Sequence, residues 1–412
     1  MSTRPAALQK LRILSIIEAL TVTGPVKPLL MFAGSARAGS AEYPAVARTV
    51  MTTRRRVVGR NDAPDELYTA VKAAGLEYIT IQERAAFDPG VLPQMRRAID
   101  GNKPDIVETH DSKSHFLFFV LRLLHASLRR PKWIAFHHGY TRTSWKIVLY
   151  QQLDRLTLRH ADHVLTLCRP FAQDLRHRGV ALRNLSVISN AAPERAAPGA
   201  GAIANVRVTL QIAPEECLVL CVGRLSNEKG QDDLIDALQR TLAGGNVPQL
   251  RLVIVGDGPE RKRLEHLAAR LGQSVLFTGY LADPWTLFHA ADIFVLPSHS
   301  EGSPLVMFEA MAAGVPIVAA AVGGVPETLV DSESGLLVPP RNPAALARAL
   351  AALSRDRALR QRLALAARAA LVRFSPSAYV HNLLAIYARV MQPSAIAAPP
   401  RKAARKRTSE AP

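Results

Sequence analysis

Two glutamates, Glu301 and Glu309, stand with seven residues between them in EGSPLVMFEAMAAGVPIV, residues 301–318, and the rest of that stretch is apolar, small, Gly or Pro. No Lys or Arg lies within it to pair with either carboxylate. An unpaired buried carboxylate is strongly destabilising. The preceding IFVLPS reads as a strand and SHSEG as its loop. Ser303 is expected to cap a helix, Pro304 to occupy its first position and Gly314 to end it. Glu301 then lies at a strand's carboxyl end. Glu309 lies about one and a half turns into the helix, beside Leu305, Val306, Ala312 and Ala313. Either a backbone donor from another segment satisfies Glu309, or the hydroxyls of a ligand do.

A second cluster is cationic. CLVLCV is followed by GRLSNEKG, in which Gly223 permits a tight turn and Arg224 and Lys229 stand five positions apart in one loop. The helical DDLIDAL that follows points its positive end back at them. Cations beside a helix N-terminus make an anion site, although two solvated loop cations are the plainer reading of the pair taken alone. RLVIV is followed by GDGPE, where Gly256 opens a Gly-x-Gly turn onto ERKRLEHLAARL. Such a turn is weak evidence by itself; its place at another strand end raises its value.

These loops need strands to hold them. LRILSII (11–17), DIVETH (105–110), KWIAFHH (132–138), HVLTLC (163–168) and LSVISN (185–190) read as strands, with helical stretches such as 145–159 between. AAPERAAPGAGA (191–202) reads as a linker. The alternation restarts with CLVLCVG, RLVIVG, SVLFTGY, IFVLPS and PIVAAA. Nearly continuous apolar strands alternating with helices imply parallel sheets covered on both faces. The expectation is an α/β chain of two doubly wound, Rossmann-like domains, residues 1–195 and 205–392, with the ligand between them at the strands' carboxyl ends. Residues 393–412 read as a disordered basic tail.

Composition excludes several classes. The 412 residues are 48% hydrophobic and 21% charged, as in ordinary soluble proteins. The longest oily run of the first half, FLFFVL (116–121), is too short to span a membrane, and the start has no small-residue cleavage site of a signal peptide. Cys168, Cys217 and Cys221 have no metal or framework spacing, which fits a reducing cytoplasm. Of the formal +18 charge, residues 1–200 carry +13 and residues 201–392 only +1. The first half therefore faces something negative, such as an anionic membrane surface or a phosphorylated substrate. Nucleic acid is disfavoured, since only 6% of residues are aromatic and no zinc-finger or RNA-binding signature occurs.

Taken together, GRLSNEKG, VGDGPE, FTGYL and EGSPLVMFEAMAAGVPIVAAAVGGVPE resemble the donor-binding half of the family 4 retaining glycosyltransferases of the GT-B fold, over residues 217–340. The first half resembles the family more loosely, through VTGPVKPLL (22–30), ETHDSKSH (108–115) and FHHGYTR (136–142). Ala191 in SNAAP departs from the family's usual Asn-Gly pair.

The resemblance implies roles. Arg224 and Lys229 grip the diphosphate of a nucleotide-sugar and offset charge on the leaving group. Glu309 accepts from the ribose hydroxyls, and Glu301 faces the transferred sugar, with Gly302, Ser303 and Pro304 beside the phosphates. Gly223 and Gly256 shape the loops around them. Tyr280 and Leu281 border the base, and Gly24 lets the first domain's loop approach the phosphates. His138, with His137 as its neighbour, stands near the sugar. His110, Asp111 and Lys113 are weaker acceptor-side candidates. The last helix is expected to cross back to the first domain.

No cofactor or metal is expected, because the chain has no Asp-x-Asp pair and the two cations with helix N-termini can hold a diphosphate. The implied activity is that of a retaining hexosyltransferase. It would move a sugar from a UDP- or GDP-sugar to a glycan or lipid-linked acceptor, in cell-surface polysaccharide (lipopolysaccharide, for example) or glycolipid synthesis. The expected place is the cytoplasm, with peripheral contact at the inner face of the plasma membrane. The competing readings are a nucleotide-sugar epimerase of the same fold, or a non-catalytic sugar-nucleotide-binding protein. A dehydrogenase is disfavoured, since no Gly-x-Gly-x-x-Gly follows any strand.

Overall fold

A computed structural model of the chain describes residues 10–19, 21–22, 24–36, 43–55, 65–85, 88–139, 145–245 and 247–392. The basic stretch 393–412, read above as a tail, lies outside them.

The first sheet is built from β1 (Leu11–Ile16), β2 (Val46–Arg55), β3 (Glu77–Glu83), β4 (Ile106–Thr109), β5 (Lys132–His137), β6 (His163–Thr166) and β7 (Leu185–Val187). Their order is β3-β2-β1-β4-β5-β6-β7, and every pairing is parallel. The second sheet comprises β8 (Cys217–Val222), β9 (Leu250–Val255), β10 (Val275–Gly279), β11 (Ile293–Leu296), β12 (Ile317–Ala320) and β13 (Leu336–Val338). Its order is β10-β9-β8-β11-β12-β13, also all parallel. The α/β, doubly wound reading of both halves is correct.

Burial explains why most strands are legible. β9, β11 and β12 are buried at every position, so helices must cover both faces and the strand reads as one apolar run. Three strands escape the pattern. β2, VARTVMTTRR, mixes polar with apolar residues and carries a buried arginine, Arg48. β3, EYITIQE, is an edge strand rich in polar residues, and β13 has only three residues.

Strand order reverses between β1 and β4 in the first sheet and between β8 and β11 in the second. Such reversals open a crevice at the strands' carboxyl ends. The two sheets are joined by an irregular segment, but Ala200 already begins a helix, Ala200–Thr209, so the connection is shorter than the linker expected over 191–202. The final helix, Pro376–Met391, is capped by Ser375, whose hydroxyl accepts from Ala378 N at 3.2 Å. It returns to the first sheet, where Tyr379, Leu383 and Tyr387 share a core with Ile13, Phe32 and Ile134. Among the described residues no helix is long and apolar enough to cross a membrane.

Candidate active site

A cleft of ≈740 Å³ lies where the strand ends of the two sheets meet. The loops after β8, β9, β10 and β11 form one wall. Gly24, Lys27, His138 and Asn190 contribute to the other. Gly24, Gly223, Gly256, Tyr280, Leu281, Gly302, Ser303, Pro304 and Glu309 all line it, as do Arg224, Lys229, Glu301 and His138.

The loops are held by backbone contacts. Gly256 has φ +136°, a conformation that disfavours a side chain, and a Cβ there would sit 2.0 Å from the Gly223 carbonyl oxygen. Its glycine therefore lets two strand-end turns touch. Gln231 Nε2 donates to the Arg224 carbonyl at 2.9 Å, which fixes the cationic loop against the helix Gln231–Ala243. At Gly24 and Gly223, by contrast, a Cβ would meet nothing within 4 Å, so protein packing does not require glycine there.

Arg224 is exposed on the cleft wall and has no salt bridge among the described residues. Lys229 Nζ donates to Glu301 Oε1 at 2.7 Å, and Ser298 Oγ donates to the same oxygen at 2.7 Å. Glu301 is thus a buried carboxylate, 7% exposed, whose cation comes from the neighbouring strand end. Tyr280 is 63% exposed and presents an open aromatic face suited to stacking.

Glu309 lies in the helix Leu305–Ala313, which Gly314 ends in a left-handed conformation. Two expectations need correction. The first is that Glu309 is satisfied either by a backbone donor or by a ligand's hydroxyls. Lys27 Nζ, from the opposite wall, donates to Glu309 Oε1 at 3.0 Å, while Oε2 is buried without a hydrogen bond. The second is that Ser303 caps this helix. Pro304 holds the cap position with no side-chain bond, so it is not the first helical residue. Ser303 Oγ instead accepts from Asn190 N at 2.9 Å, and its carbonyl accepts from Asn190 Nδ2 at 2.6 Å. Asn190, just before the chain leaves the first sheet, therefore pins the second sheet's Ser303 loop. Ala192 N donates to the Phe374 carbonyl at 2.7 Å and holds the same crossing, and Ala191 has no positive φ, so the path there needs no glycine.

The histidines separate cleanly. His137 is buried, with Nδ1 3.3 Å from Thr166 Oγ1 and its ring edge-on to Phe171. Burial pushes it down to about 4, so it is a neutral core residue and does not line the cleft. His138 does line it. Among the weaker candidates, His110 is buried behind His138, with Nδ1 3.4 Å from His138 Nε2. Asp111 caps the helix Ser112–Leu124 through Ser114 N and also accepts from Glu18 N at 2.8 Å. Lys113 pairs with Glu18 and Glu83, each at 2.9 Å. None of these three lines the cleft.

The sequence reading did not assign Lys27, Asn190 or Gly323. Gly323 has φ +53°, and a Cβ would lie 1.6 Å from the Glu301 carbonyl oxygen, so the Gly323-Gly324 pair backs the Glu301 loop. AAAVGGVPE carries that pair in plain view, and a double glycine after a strand is its available signal. Lys27 has no such signal, since its partner is 282 positions away. Among the described residues Asp232, Asp233 and His299 lie close enough to share a cation, but His299 Nε2 is 2.8 Å from Asp233 and Asp232 pairs with Arg263 at 3.1 Å.

Residues 203–370 match the family model described as Glycosyl transferases group 1, and residues 32–191 match the Glycosyl transferase 4-like domain. A D-inositol 3-phosphate glycosyltransferase of Acidothermus cellulolyticus is 39% identical over 220 residues, covering 50% of this chain and 48% of that protein. Sulfoquinovosyl transferase SQD2 of Arabidopsis thaliana is 28% identical over 291 residues, covering 68% of this chain and 52% of its own. The chain spans about half the length of the curated relatives it matches. Among solved structures, Anabaena HepE in complex with UDP and glucose aligns with a TM-score of 0.76 at 20% identity, over 92% of this chain and 100% of that one. Sucrose-phosphate synthase from Thermosynechococcus elongatus aligns with a TM-score of 0.74 at 22% identity, over 92% and 99%. These structural likenesses are of the fold.

Proposed function

Since the chain belongs to the family 4 glycosyltransferases of the GT-B fold, we propose that it transfers a sugar from a UDP- or GDP-sugar to a glycan or lipid-linked acceptor, with retention at the anomeric carbon. The observation that carries this reading is the cleft wall itself. There two cations of one strand-end loop, Arg224 and Lys229, stand with Glu301 and with a glutamate, Glu309, that has one buried oxygen unbonded.

In this reading Glu309 receives the ribose hydroxyls and Tyr280 stacks on the base. Arg224, Lys229 and the helix N-terminus at Gly230 take the diphosphate without a metal. The acceptor hydroxyl oxygen bonds to the anomeric carbon as the bond to the diphosphate breaks, and its proton passes to the departing phosphate oxygen. The negative charge that develops there is what the two cations offset. HepE, solved with UDP-glucose, supports a UDP-sugar as the first donor to try. The charge of residues 1–200, +13, supports an acceptor presented at an anionic membrane, where each nearby cation contributes about 1 kcal/mol.

A thermal-shift series with UDP, GDP and their sugars tests the donor, because a ligand bound only to the native state raises the melting temperature with its saturation. No shift with any nucleotide-sugar would exclude the reading. A shift without transfer to any glycan or lipid-linked acceptor would leave a binding protein.

A further inference from the structure

A fully buried carboxylate, Glu108, lies behind the cleft's histidine. It accepts from Ser15 Oγ at 2.7 Å, from Arg48 Nη1 at 2.5 Å and Nη2 at 3.4 Å, and from the Tyr387 hydroxyl. Burial alone would raise its pKa. Arg48, His110 and Tyr387 outweigh that and hold it down at about 2, so it is ionised. Buried ion pairs often contribute no more stability than apolar residues of the same volume. The pair's other neighbours indicate a different use.

His110 stands two residues on, at the end of β4. Its Nε2 lies 3.5 Å from Glu108 Oε2, and its Nδ1 lies 3.4 Å from Nε2 of His138. The two imidazoles are nearly parallel, 20° apart, with centroids 5.7 Å apart, and Phe136 stacks on His110 at 4.5 Å, which holds its plane. His138 lines the cleft; Glu108 and His110 do not. Arg48, His110 and His138 also border one small cavity of ≈20 Å³. The geometry therefore forms a line from a fixed buried charge, through one imidazole, to a second imidazole at the substrate side.

Proton placement along that line follows from charge. Glu108 Oε2 stands 3.5 Å from His110 Nε2, outside hydrogen-bond geometry, and its charge favours a proton on that buried nitrogen. With the His110 proton on Nε2, its Nδ1 presents a lone pair. His138 Nε2 faces that lone pair and must carry the proton between them, because which imidazole nitrogen is protonated is set by the partner of the other. Burial, then the rings of His110, His137 and His115, keep His138 well below the usual histidine range, so it carries a single proton. Its Nδ1 is left as a lone pair and has no hydrogen-bond partner among the described residues.

We propose that Glu108, acting through His110, is a positioning residue that fixes His138 as the Nε2–H tautomer, so that Nδ1 accepts a hydrogen bond from a hydroxyl of the bound sugar or acceptor. The identity of that hydroxyl rests on the transferase reading; the tautomer rests on the protein alone.

Nitrogen-15 histidine labelling of the full chain tests it without any substrate. Two-bond proton–nitrogen correlation spectra near neutral pH distinguish the two tautomers, and His138 is assigned by the signals lost in His138→Gln. The expected wild-type pattern is Nε2–H. His110→Phe keeps Glu108, Arg48 and Tyr387 together while removing the acceptor, and it is expected to shift His138 toward Nδ1–H. It should also lower kcat while leaving nucleotide affinity unchanged, a split that a merely structural residue would not give. An Nδ1–H His138 in the wild type overturns the proposal even if no variant folds. So does an unchanged Nε2–H pattern in folded His110→Phe. A protein that shows the expected spectra yet transfers no sugar refutes the transferase reading and leaves the tautomer assignment standing.

Discussion

Lys27 Nζ lies 3.0 Å from Glu309 Oε1, a contact between opposite walls of the cleft. Lys27 stands in the helix Val26–Ala36 under the first sheet, and Glu309 in the helix Leu305–Ala313 of the second. The lysine side chain is 47% exposed and the glutamate 13%. A pair so open on one side contributes only about 0–1 kcal/mol. It offsets the charge of Glu309 Oε1, while Oε2 is buried without a hydrogen bond.

From this contact, Lys27→Met is expected to change nucleotide affinity by less than about fivefold, and Glu309→Gln to lower it by about 10- to 100-fold. Calorimetric titration reads both. A 2′-deoxy nucleotide should bind the wild type poorly and lose little more on Glu309→Gln, because both changes remove one contact. Additive losses would sink the ribose role.

The cationic loop separates into two behaviours. Arg224→Ala is expected to cut transfer on the order of 100-fold with an unchanged melting temperature, since Arg224 is exposed and has no salt bridge among the described residues. Lys229→Ala should cut transfer as much and also lower stability by about 1–3 kcal/mol, because Glu301 is left buried without its cation. Initial rates with saturating donor, alongside urea unfolding, check the pair. Near-normal turnover in both variants would mark them as surface cations.

The glycines divide in the same way. Gly323→Ala forces a Cβ to within 1.6 Å of the Glu301 carbonyl oxygen at a φ of +53°, and should cost about 2–4 kcal/mol in unfolding free energy. Gly24→Ala meets nothing within 4 Å, so its melting temperature should not move, whereas nucleotide-sugar affinity should fall if the loop closes on phosphates. A Gly323→Ala protein as stable as the wild type would contradict the packing.

Stability should fall with acid in two stages. His137 and His163 are held at about 4 by burial, and His138 is held well below 6.5. These rings bind protons more readily when unfolded, so their contribution is full above pH 6.5 and is lost as pH falls from 6.5 toward 4. Glu108, at about 2 in the fold against 4.5 ordinarily, contributes fully above pH 4.5 and loses its contribution between 4.5 and 2. His115 opposes the trend. Burial pushes it down, but Asp154 and the Thr109 carbonyl outweigh this and raise it, so its contribution is full below pH 6.5 and lost above. Urea midpoints from pH 8 to pH 2 follow the balance, and a midpoint that rises between 6.5 and 4.5, or that holds level from 4.5 to 2, would contradict it.

Most of the second sheet's cleft wall was legible because its signals are local. Gly223, Arg224 and Lys229 follow one apolar run, Gly256 another, and Glu301 with Glu309 a third; a doubly wound sheet sends every such punctuation to the same edge. The first sheet was read less completely. β2 was missed because Arg48 looks like a surface residue until Glu108 and Tyr387 surround it. Ser303 was misread as a cap because its local pattern fits one, and a hydroxyl's actual partner is whichever donor arrives, here Asn190 from the other sheet.

The alternation of strands and helices, the two parallel sheets and the strand-end loops that carry Arg224, Lys229, Glu301 and Glu309 follow from local order along the chain, because apolar runs and glycine punctuation act between near neighbours. Which charges those residues meet depends on how the chain folds in space. Lys27 reaches Glu309 over 282 positions, Lys229 reaches Glu301 over 72 and Tyr387 reaches Glu108 over 279. A charge becomes costly or useful only when burial removes its water and a partner replaces it, and that exchange depends on distance in space, which no spacing along the chain encodes.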